Sequence, residues 1–294
     1  MRLFVEKLTS IDSSFLCPRR GIVGESWLLD VELGGDLNEQ QMLFDFADVK
    51  RTIKRYVDLT FDHKLLLPAS FAAIERLPAA SERVCLRMET ARGPVWMAAP
   101  EQAITWLEGA QEISCNSLAE AIAEGLKPLL PANVTQVKIE LRHEDAGPPH
   151  FHYSHGLRMH GGNCQRIAHG HRSRLRIAVE GQYDEGLTRQ WCQRWQTIYL
   201  AHEADLLPWS ASPFASYGEG RGLLCFGYQA GQGDFALALA AENCELVKVD
   251  TTIEQIAGYI AATVAAGLPG KRIDVRVYEG VEKGAVAMAG GAVG

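Results

Sequence analysis

The sequence lacks several features that would assign it to a particular class of protein. No apolar run approaches the length of a membrane-spanning helix, which argues against a membrane partner. The segment Met1–Phe4 has none of the apolar character of a signal peptide, so we expect a cytoplasmic protein. A basic surplus is also missing, because the net charge is −7, and this argues against a nucleic-acid-binding face.

Cysteine is present, but not in the patterns that give it a structural role. The seven cysteines are scattered and odd in number, and no two form a Cys-x-x-Cys pair. This spacing argues against a disulfide framework and is typical of reduced thiols in the cytoplasm. With 294 residues, of which 47% are hydrophobic and 22% charged, the chain has the composition of a globular protein with one large or two ordinary domains.

Histidine, by contrast, is concentrated in one short segment. Six of the nine histidines lie between His150 and His171. Residues two apart in an extended segment project from the same face, so His169 and His171 can converge on one point. His155 on a neighbouring strand would complete a three-histidine site with an open coordination position, as in catalytic zinc centres. Cys164, a few residues before the pair, supplies a thiol that can act as base or nucleophile.

The apolar pattern repeats at about half the chain length. In each half, two strands precede a helix, two strands and a second helix follow, and a strand closes the half. The first half has strands at Leu3–Leu8, Ser26–Leu33, Val84–Met88, Val95–Ala98 and Gln136–Leu141, with helices at Phe46–Val57 and from Asn116-Ser117 to about Leu130. The second half has strands at Phe151–Met159, Ser173–Glu180, Leu223–Tyr228, Phe235–Ala240 and Ile273–Tyr278, with helices at Leu187–His202 and Thr252–Ala266. The Pro- and Gly-rich segment Glu144–Pro149 predicts a linker that divides the chain into 1–146 and 147–294.

Short motifs in both halves carry a family resemblance. In the second half these are Phe-x-x-x-His at Phe151–His155, a cysteine followed by His-Gly-His at Cys164–His171, the helix start Thr251–Glu254, and a closing strand that ends at Glu279. In the first half they are Met42–Lys50 and Phe61–Leu66. Together they resemble the 6-pyruvoyl-tetrahydropterin synthase and 6-carboxytetrahydropterin synthase family.

The resemblance implies an α+β architecture, the tunnelling fold or T-fold. Each unit of this fold is an antiparallel four-stranded sheet with two helices on one face. Sheets of this kind have open edges, so we expect them to pair in a closed homo-oligomer. The resemblance also implies that zinc is the metal and that its ligands are His155, His169 and His171.

The two halves depart from the family in complementary ways. In the first half Val23–Glu25 replaces His-Gly-His, and Thr9 stands at the position of the first metal histidine, so this unit is expected to be degenerate and to bind no zinc. In the second half Ala201-His202 replaces an Asp-His pair. Family active sites lie between subunits, with metal and cysteine on one and Asp-His on its neighbour. We therefore expect a composite site in which the first half supplies Asp62-His63 and the second half supplies zinc and Cys164.

The substrate that the resemblance implies is 7,8-dihydroneopterin triphosphate. Cys164 would act as general base, and His63, oriented by Asp62, would relay a second proton. Glu279 would accept two hydrogen bonds from the N–H and NH2 edge of the pterin. Glu144, assigned to the equivalent place in the first half, is the alternative for this role.

The activity expected from these roles is that of a carbon–oxygen lyase. Its product would be 6-carboxytetrahydropterin, a precursor of queuosine and other 7-deazapurines. One alternative is 6-pyruvoyl-tetrahydropterin synthase or a related pterin side-chain lyase. Another is a non-catalytic pterin-binding or assembly subunit. Retention of Cys164 beside three histidines argues against the subunit, because a binding protein has no use for a base next to an open metal.

Overall fold

A computed structural model describes residues 1–144, 147 and 149–291. Asp145, Ala146 and Pro148 of the predicted linker lie outside the described residues, and so does the predicted boundary between 146 and 147. Four α-helices and 17 strands occur in the described part of the chain. Within that part, no helix is both long enough and apolar enough to cross a membrane.

The first half is built on a long β-hairpin. Its elements are β1 (Arg2–Cys17), β2 (Gly21–Gly35), α1 (Phe46–Thr60), β3 (Leu65–Pro68), β4 (Ile74–Leu77), β5 (Arg83–Thr90), β6 (Gly93–Pro100), β7 (Ile104–Leu107), α2 (Cys115–Leu126) and β8 (Val134–Arg142). One sheet has the order β7-β3-β1-β2-β8. Strands β1, β2 and β8 are antiparallel, whereas β3 and β7 extend the sheet in parallel.

The second half follows the same order of elements and adds a final strand. Its elements are β9 (His150–His155), β10 (His169–Val179), β11 (Gln182–Tyr183), α3 (Glu185–Arg194), β12 (Thr197–His202), β13 (Leu223–Ala230), β14 (Gly233–Ala240), β15 (Cys244–Val247), α4 (Ile253–Gly267), β16 (Arg272–Tyr278) and β17 (Gly284–Gly290). The main sheet has the order β15-β12-β9-β10-β16-β17. Strands β9, β10, β16 and β17 form an antiparallel four-stranded core. The predicted α+β class is therefore confirmed, with short parallel strands widening both sheets.

Each pair of helices covers one face of its sheet because apolar residues recur along the helices at helical spacing. In α1, Asp45 caps the first turn with its carboxylate, and Val49, Ile53 and Val57 form the buried stripe. These residues share one core with β2 and β8. The corresponding buried stripe of α4 packs on β10 and β16.

One predicted element of the second half is wrong. The helix expected at Leu187–His202 ends at Arg194, and Thr197–His202 is strand β12. The β-branched and aromatic residues of Thr197-Ile198-Tyr199 favour a strand, and pairing with β9 on one side and β15 on the other stabilises it. The strand expected at Phe151–Met159 likewise ends early, at His155.

A third sheet joins the halves and reveals their symmetry. Its order is β13-β14-β6-β5-β4, with β14 from the second half paired to β6 from the first. Met97 and Leu237 occupy the same place in their halves and lie directly opposite each other in antiparallel register. Such pairing of equivalent residues indicates an approximate two-fold axis between the halves.

The two long hairpins also meet at equivalent residues. The hydroxyl of Ser14 donates a hydrogen bond of 2.7 Å to the hydroxyl of Ser154. Gly24 and Gly170 face each other so closely that a Cβ on Gly170 would lie 2.6 Å from the Cα of Gly24. Only glycine permits this approach, which brings the strand ends of the second half against residues of the first.

Candidate metal and acid–base centre

Three buried histidines converge at the open end of the β9–β10 pair. His155 ends β9 and lies directly opposite His169, which begins β10. His171 follows two residues later and projects from the same face. One ring nitrogen of each histidine lies within 4.8 Å of those of the other two. All three rings are buried, with relative exposures of 0%, 1% and 1%.

The hydrogen bonds of these histidines leave donor atoms available at the centre. His155 Nδ1 is hydrogen-bonded to Thr251 Oγ1 at 3.0 Å, and His169 Nδ1 donates to the carbonyl oxygen of Arg166 at 2.9 Å. His155 Nε2 and both ring nitrogens of His171 have no hydrogen-bond partner among the described residues. Buried polar atoms without partners are rare, so the arrangement fits a metal ion held by three imidazoles.

The environment also favours the form of histidine that binds metal. Burial, together with the neighbouring imidazoles, holds the pKa of His155 and of His169 well below the usual value. Both rings are therefore neutral near pH 7, and a neutral imidazole has a lone pair to give to a metal.

Asp62 and His63 reach this centre from the first half. They follow α1, and His63 takes a left-handed backbone conformation with φ of 55°. His63 Nδ1 lies 2.5 Å from Asp62 Oδ2, so the carboxylate orients the ring. Burial alone would lower the pKa of His63, but hydrogen bonds and charge attraction from Asp62 and Cys164 raise it to about 10.

Cys164 completes the group from the second half. It lies in the short 3-10 helix Asn163–Gln165, between β9 and β10. Its Sγ and one ring nitrogen each of His63 and His169 lie within 4.8 Å of one another. The ring centroids of His63 and His169 are 5.2 Å apart. Because His169 is common to both groups, the thiol and the first-half histidine stand beside the three-histidine cluster.

The two glutamates predicted to anchor the substrate have different surroundings. Glu144 is engaged, since its Oε1 lies 2.8 Å from Arg174 Nη2. Glu279 begins the turn between β16 and β17, where its carboxylate makes no hydrogen bond or salt bridge with residues that the structure describes. Together with burial, its negative charge raises the pKa of the Tyr153 hydroxyl, whose ring packs against His155 and His171. Of the two carboxylates, that of Glu279 is therefore the one without a hydrogen-bond or salt-bridge partner among the described residues.

Strand register corrects three equivalences that the sequence suggested. His155 lies opposite His169 in the second half, and in the first half the equivalent pair is Phe15 opposite Val23. Phe15, and not Thr9, which lies opposite Leu29, is therefore the first-half counterpart of His155. Motif spacing alone does not reveal this shift, because β1 is longer than β9.

The other two corrections concern the Asp-His pair and the glutamates. Ser14 pairs with Leu65 in the first half, and the equivalent Ser154 pairs with Tyr199 in the second. Asp62-His63, which precede Leu65 by three and two residues, therefore correspond to Gln196-Thr197 and not to Ala201-His202. His202 lies at the far end of β12, where its Nδ1 accepts a hydrogen bond from the backbone N–H of Ala204. The β2–β8 and β10–β16 registers likewise make His143, not Glu144, the counterpart of Glu279.

Several residues that surround the centre were missed by sequence reasoning. They are Asp12, Ser26, Tyr153 and Lys283. Tyr153 is an unspecified position of the motif Phe151–His155, and the other three belong to no motif that we identified. Asp12 and Ser26 come from the first half, and only the packing of the two hairpins places them beside second-half histidines. Thr251, which is hydrogen-bonded to His155, also lies in an identified motif, the helix start Thr251–Glu254.

Comparison with known proteins gives one family match and distant likenesses to solved structures. The sequence pattern of the 6-pyruvoyl tetrahydropterin synthase family matches residues 17–147. A catalytic-residue mutant of 6-pyruvoyltetrahydropterin synthase from Plasmodium vivax is 15% identical, with 48% of this chain and 97% of that chain covered and a TM-score of 0.36. The corresponding enzyme of Plasmodium falciparum is 16% identical, with coverages of 49% and 98% and a TM-score of 0.32. None of the curated proteins that were compared matches the sequence.

Proposed function

We propose, from the match of residues 17–147 to the 6-pyruvoyl tetrahydropterin synthase family, that the chain is a zinc-dependent carbon–oxygen lyase. Its substrate would be 7,8-dihydroneopterin triphosphate and its product 6-carboxytetrahydropterin, on the route to queuosine and other 7-deazapurines. The family supports a pterin side-chain lyase, and the choice of this product is our proposal. The observation that carries it is the meeting of His63, Cys164 and His169 within one chain.

His155, His169 and His171 would hold the zinc. Three neutral imidazoles would leave its positive charge uncompensated, so the bound metal would supply a Lewis acid for the hydroxyl groups of the pterin side chain. The burial of the three rings keeps competing water from their donor atoms.

Cys164 and His63 would move the protons. Cys164, whose Sγ lies beside His169, would accept a proton from the side-chain carbon next to the ring. His63, held in its protonated form by Asp62, would donate the second proton from the opposite half of the chain. The raised pKa of His63 thus suits a role as proton donor near neutral pH.

Glu279 would hold the pterin ring, since Glu144 is paired with Arg174. A carboxylate can accept the N–H and NH2 hydrogens of the ring at once. Arg172 and Arg174 both contact Glu144, through its carbonyl oxygen and its carboxylate. Arg166, buried and hydrogen-bonded to the carbonyl oxygen of His63, is therefore the best placed arginine for the triphosphate.

The same proposal covers organisation and location. Residues 1–146 would form the degenerate unit, and residues 147–294 would form the zinc-binding unit. Among the residues that the structure describes, strands β8 and β17 each pair on one side only, so we propose that these sheet edges join further copies in a homo-oligomer. We place the enzyme in the cytoplasm.

Incubation of zinc-loaded protein with 7,8-dihydroneopterin triphosphate tests the activity. The proposed reaction consumes one water and releases acetaldehyde and triphosphate, while the ring is reduced as the side-chain carbon is oxidised to the carboxylate. Detection of 6-carboxytetrahydropterin by mass spectrometry is expected. Accumulation of 6-pyruvoyl-tetrahydropterin would correct the product, and unchanged substrate in protein shown to hold zinc would refute the lyase.

A further inference from the structure

Asp12 of β1 is a buried carboxylate that contacts a histidine of the metal cluster. Its relative exposure is 3%. Its Oδ1 lies 3.4 Å from His171 Nδ1 and accepts a hydrogen bond of 2.5 Å from the hydroxyl of Ser26. Its Oδ2 lies 3.5 Å from Lys283 Nζ. A buried carboxylate that Ser26 and Lys283 hold in place thus faces one histidine of the cluster.

The backbone of Asp12 also holds the acid–base pair. Its N–H donates a hydrogen bond of 2.8 Å to Asp62 Oδ1. Its carbonyl oxygen accepts a hydrogen bond of 2.9 Å from the backbone N–H of His63. One residue of the first half therefore contacts both the metal cluster and the pair that reaches it.

The turn that carries Glu279 is fitted to Asp12 as well. Gly280 has φ of 68°, and a Cβ on it would lie 2.4 Å from Asp12 Oδ1. Lys283, whose Nζ contacts Asp12, also accepts a backbone hydrogen bond of 2.9 Å from the N–H of Glu279. Lys283 thus links the turn to Asp12.

We propose that Asp12 is a positioning residue that sets the affinity of the metal centre from the other half of the chain. With its Oδ1 3.4 Å from His171 Nδ1, the carboxylate attracts the ring proton to Nδ1 and so favours the tautomer in which Nε2 keeps the lone pair. Carboxylates that contact a ligating histidine in this way orient the ring and strengthen it as a ligand. This inference rests on the metal site of the proposed function.

The approximate symmetry of the chain provides a matched control. The place of His171 is taken in the first half by Glu25, and the place of Asp12 is taken in the second half by His152. Glu25 Oε2 lies 3.6 Å from His152 Nδ1, and Glu25 has a relative exposure of 4%. This is again a buried first-half carboxylate beside a second-half imidazole, but His152 is not a member of the metal cluster.

The test measures zinc affinity, by competition with a chromophoric chelator, in the whole chain. The wild type, Asp12→Asn, Glu25→Gln and Ser26→Ala are compared, with folding checked by circular dichroism. Asp12→Asn should weaken zinc binding by about 10- to 100-fold, as expected for loss of a carboxylate behind a ligating histidine. Glu25→Gln should leave the affinity unchanged, and Ser26→Ala should weaken it less than Asp12→Asn.

The outcomes separate this inference from the proposed function. Absence of zinc from the wild type would refute the metal centre itself. Zinc binding of equal strength in the wild type and Asp12→Asn would overturn the role of Asp12 alone. Equal weakening in Asp12→Asn and Glu25→Gln would also overturn it, because the effect would then come from the contact between halves. If Asp12→Asn does not fold, unchanged affinity in Ser26→Ala decides against the role.

Discussion

A ring nitrogen of His63 and the Sγ of Cys164 lie within 4.8 Å of each other, although the two residues belong to different halves of the chain. The contact exists because the long hairpins pack at Gly24 and Gly170, which brings the ends of β9 and β10 against the segment after α1. A single chain therefore brings together the three-histidine cluster, the thiol and the Asp-His pair.

We predict one zinc ion per chain, bound by the second half. The first half has Phe15, Val23 and Glu25 where the second half has its histidines, so it offers only one ligand group there. His171→Ala should bring the zinc content close to zero, because two ligands rarely retain the ion. Metal analysis after dialysis measures this. His160→Ala, at an exposed histidine, is the control that should keep a full equivalent.

The choice between the two glutamates can be made with a pair of variants. Glu279→Gln should raise the KM for 7,8-dihydroneopterin triphosphate about 10- to 100-fold, since a hydrogen bond to a charged group is lost. Glu144→Gln removes a contact with Arg174 and should leave the KM near that of the wild type. Steady-state kinetics of both variants decide the matter, and the reverse pattern would give the role to Glu144.

The packing of the hairpins can be tested by stability alone. In Gly24→Ala the added Cβ would lie 1.9 Å from the backbone oxygen of Tyr153, so the halves must move apart. Overpacking of this kind should lower the free energy of unfolding by about 1–3 kcal/mol. Gly258→Ala in α4 meets nothing within 4 Å and should raise the free energy of unfolding by about 0.5–1 kcal/mol. Denaturant titration measures both changes, and equal effects would argue against the close contact.

Local patterns predicted much of the fold and the metal cluster. The spacing of His169 and His171 within one strand determines that they share a face, and this required no knowledge of the partner strands. Helix α1 was similarly predictable, because Val49, Ile53 and Val57 lie at helical spacing. Short strands such as β3, β7, β12 and β15 were missed, since segments of four to six residues are too short to show a clear period.

Relations between the halves were much less accessible to sequence analysis. The place of Thr9 was misjudged because β1 extends beyond the length of β9, and only strand register shows the offset. Asp12 could not be identified, since the histidine that it contacts lies in the other half of the chain. The nearness of Asp62-His63 to the cluster was a hypothesis from family resemblance, and its geometry depends on the close approach of two glycines.

The most direct measurement compares turnover in two histidine variants with equal zinc content. His63→Ala should lower kcat for 7,8-dihydroneopterin triphosphate by about 100- to 10,000-fold, the usual contribution of an acid–base residue. His202→Ala should retain wild-type kcat, because His202 caps the short 3-10 turn at the end of β12. Wild-type turnover in His63→Ala, or loss of turnover only in His202→Ala, would contradict a site shared between the two halves.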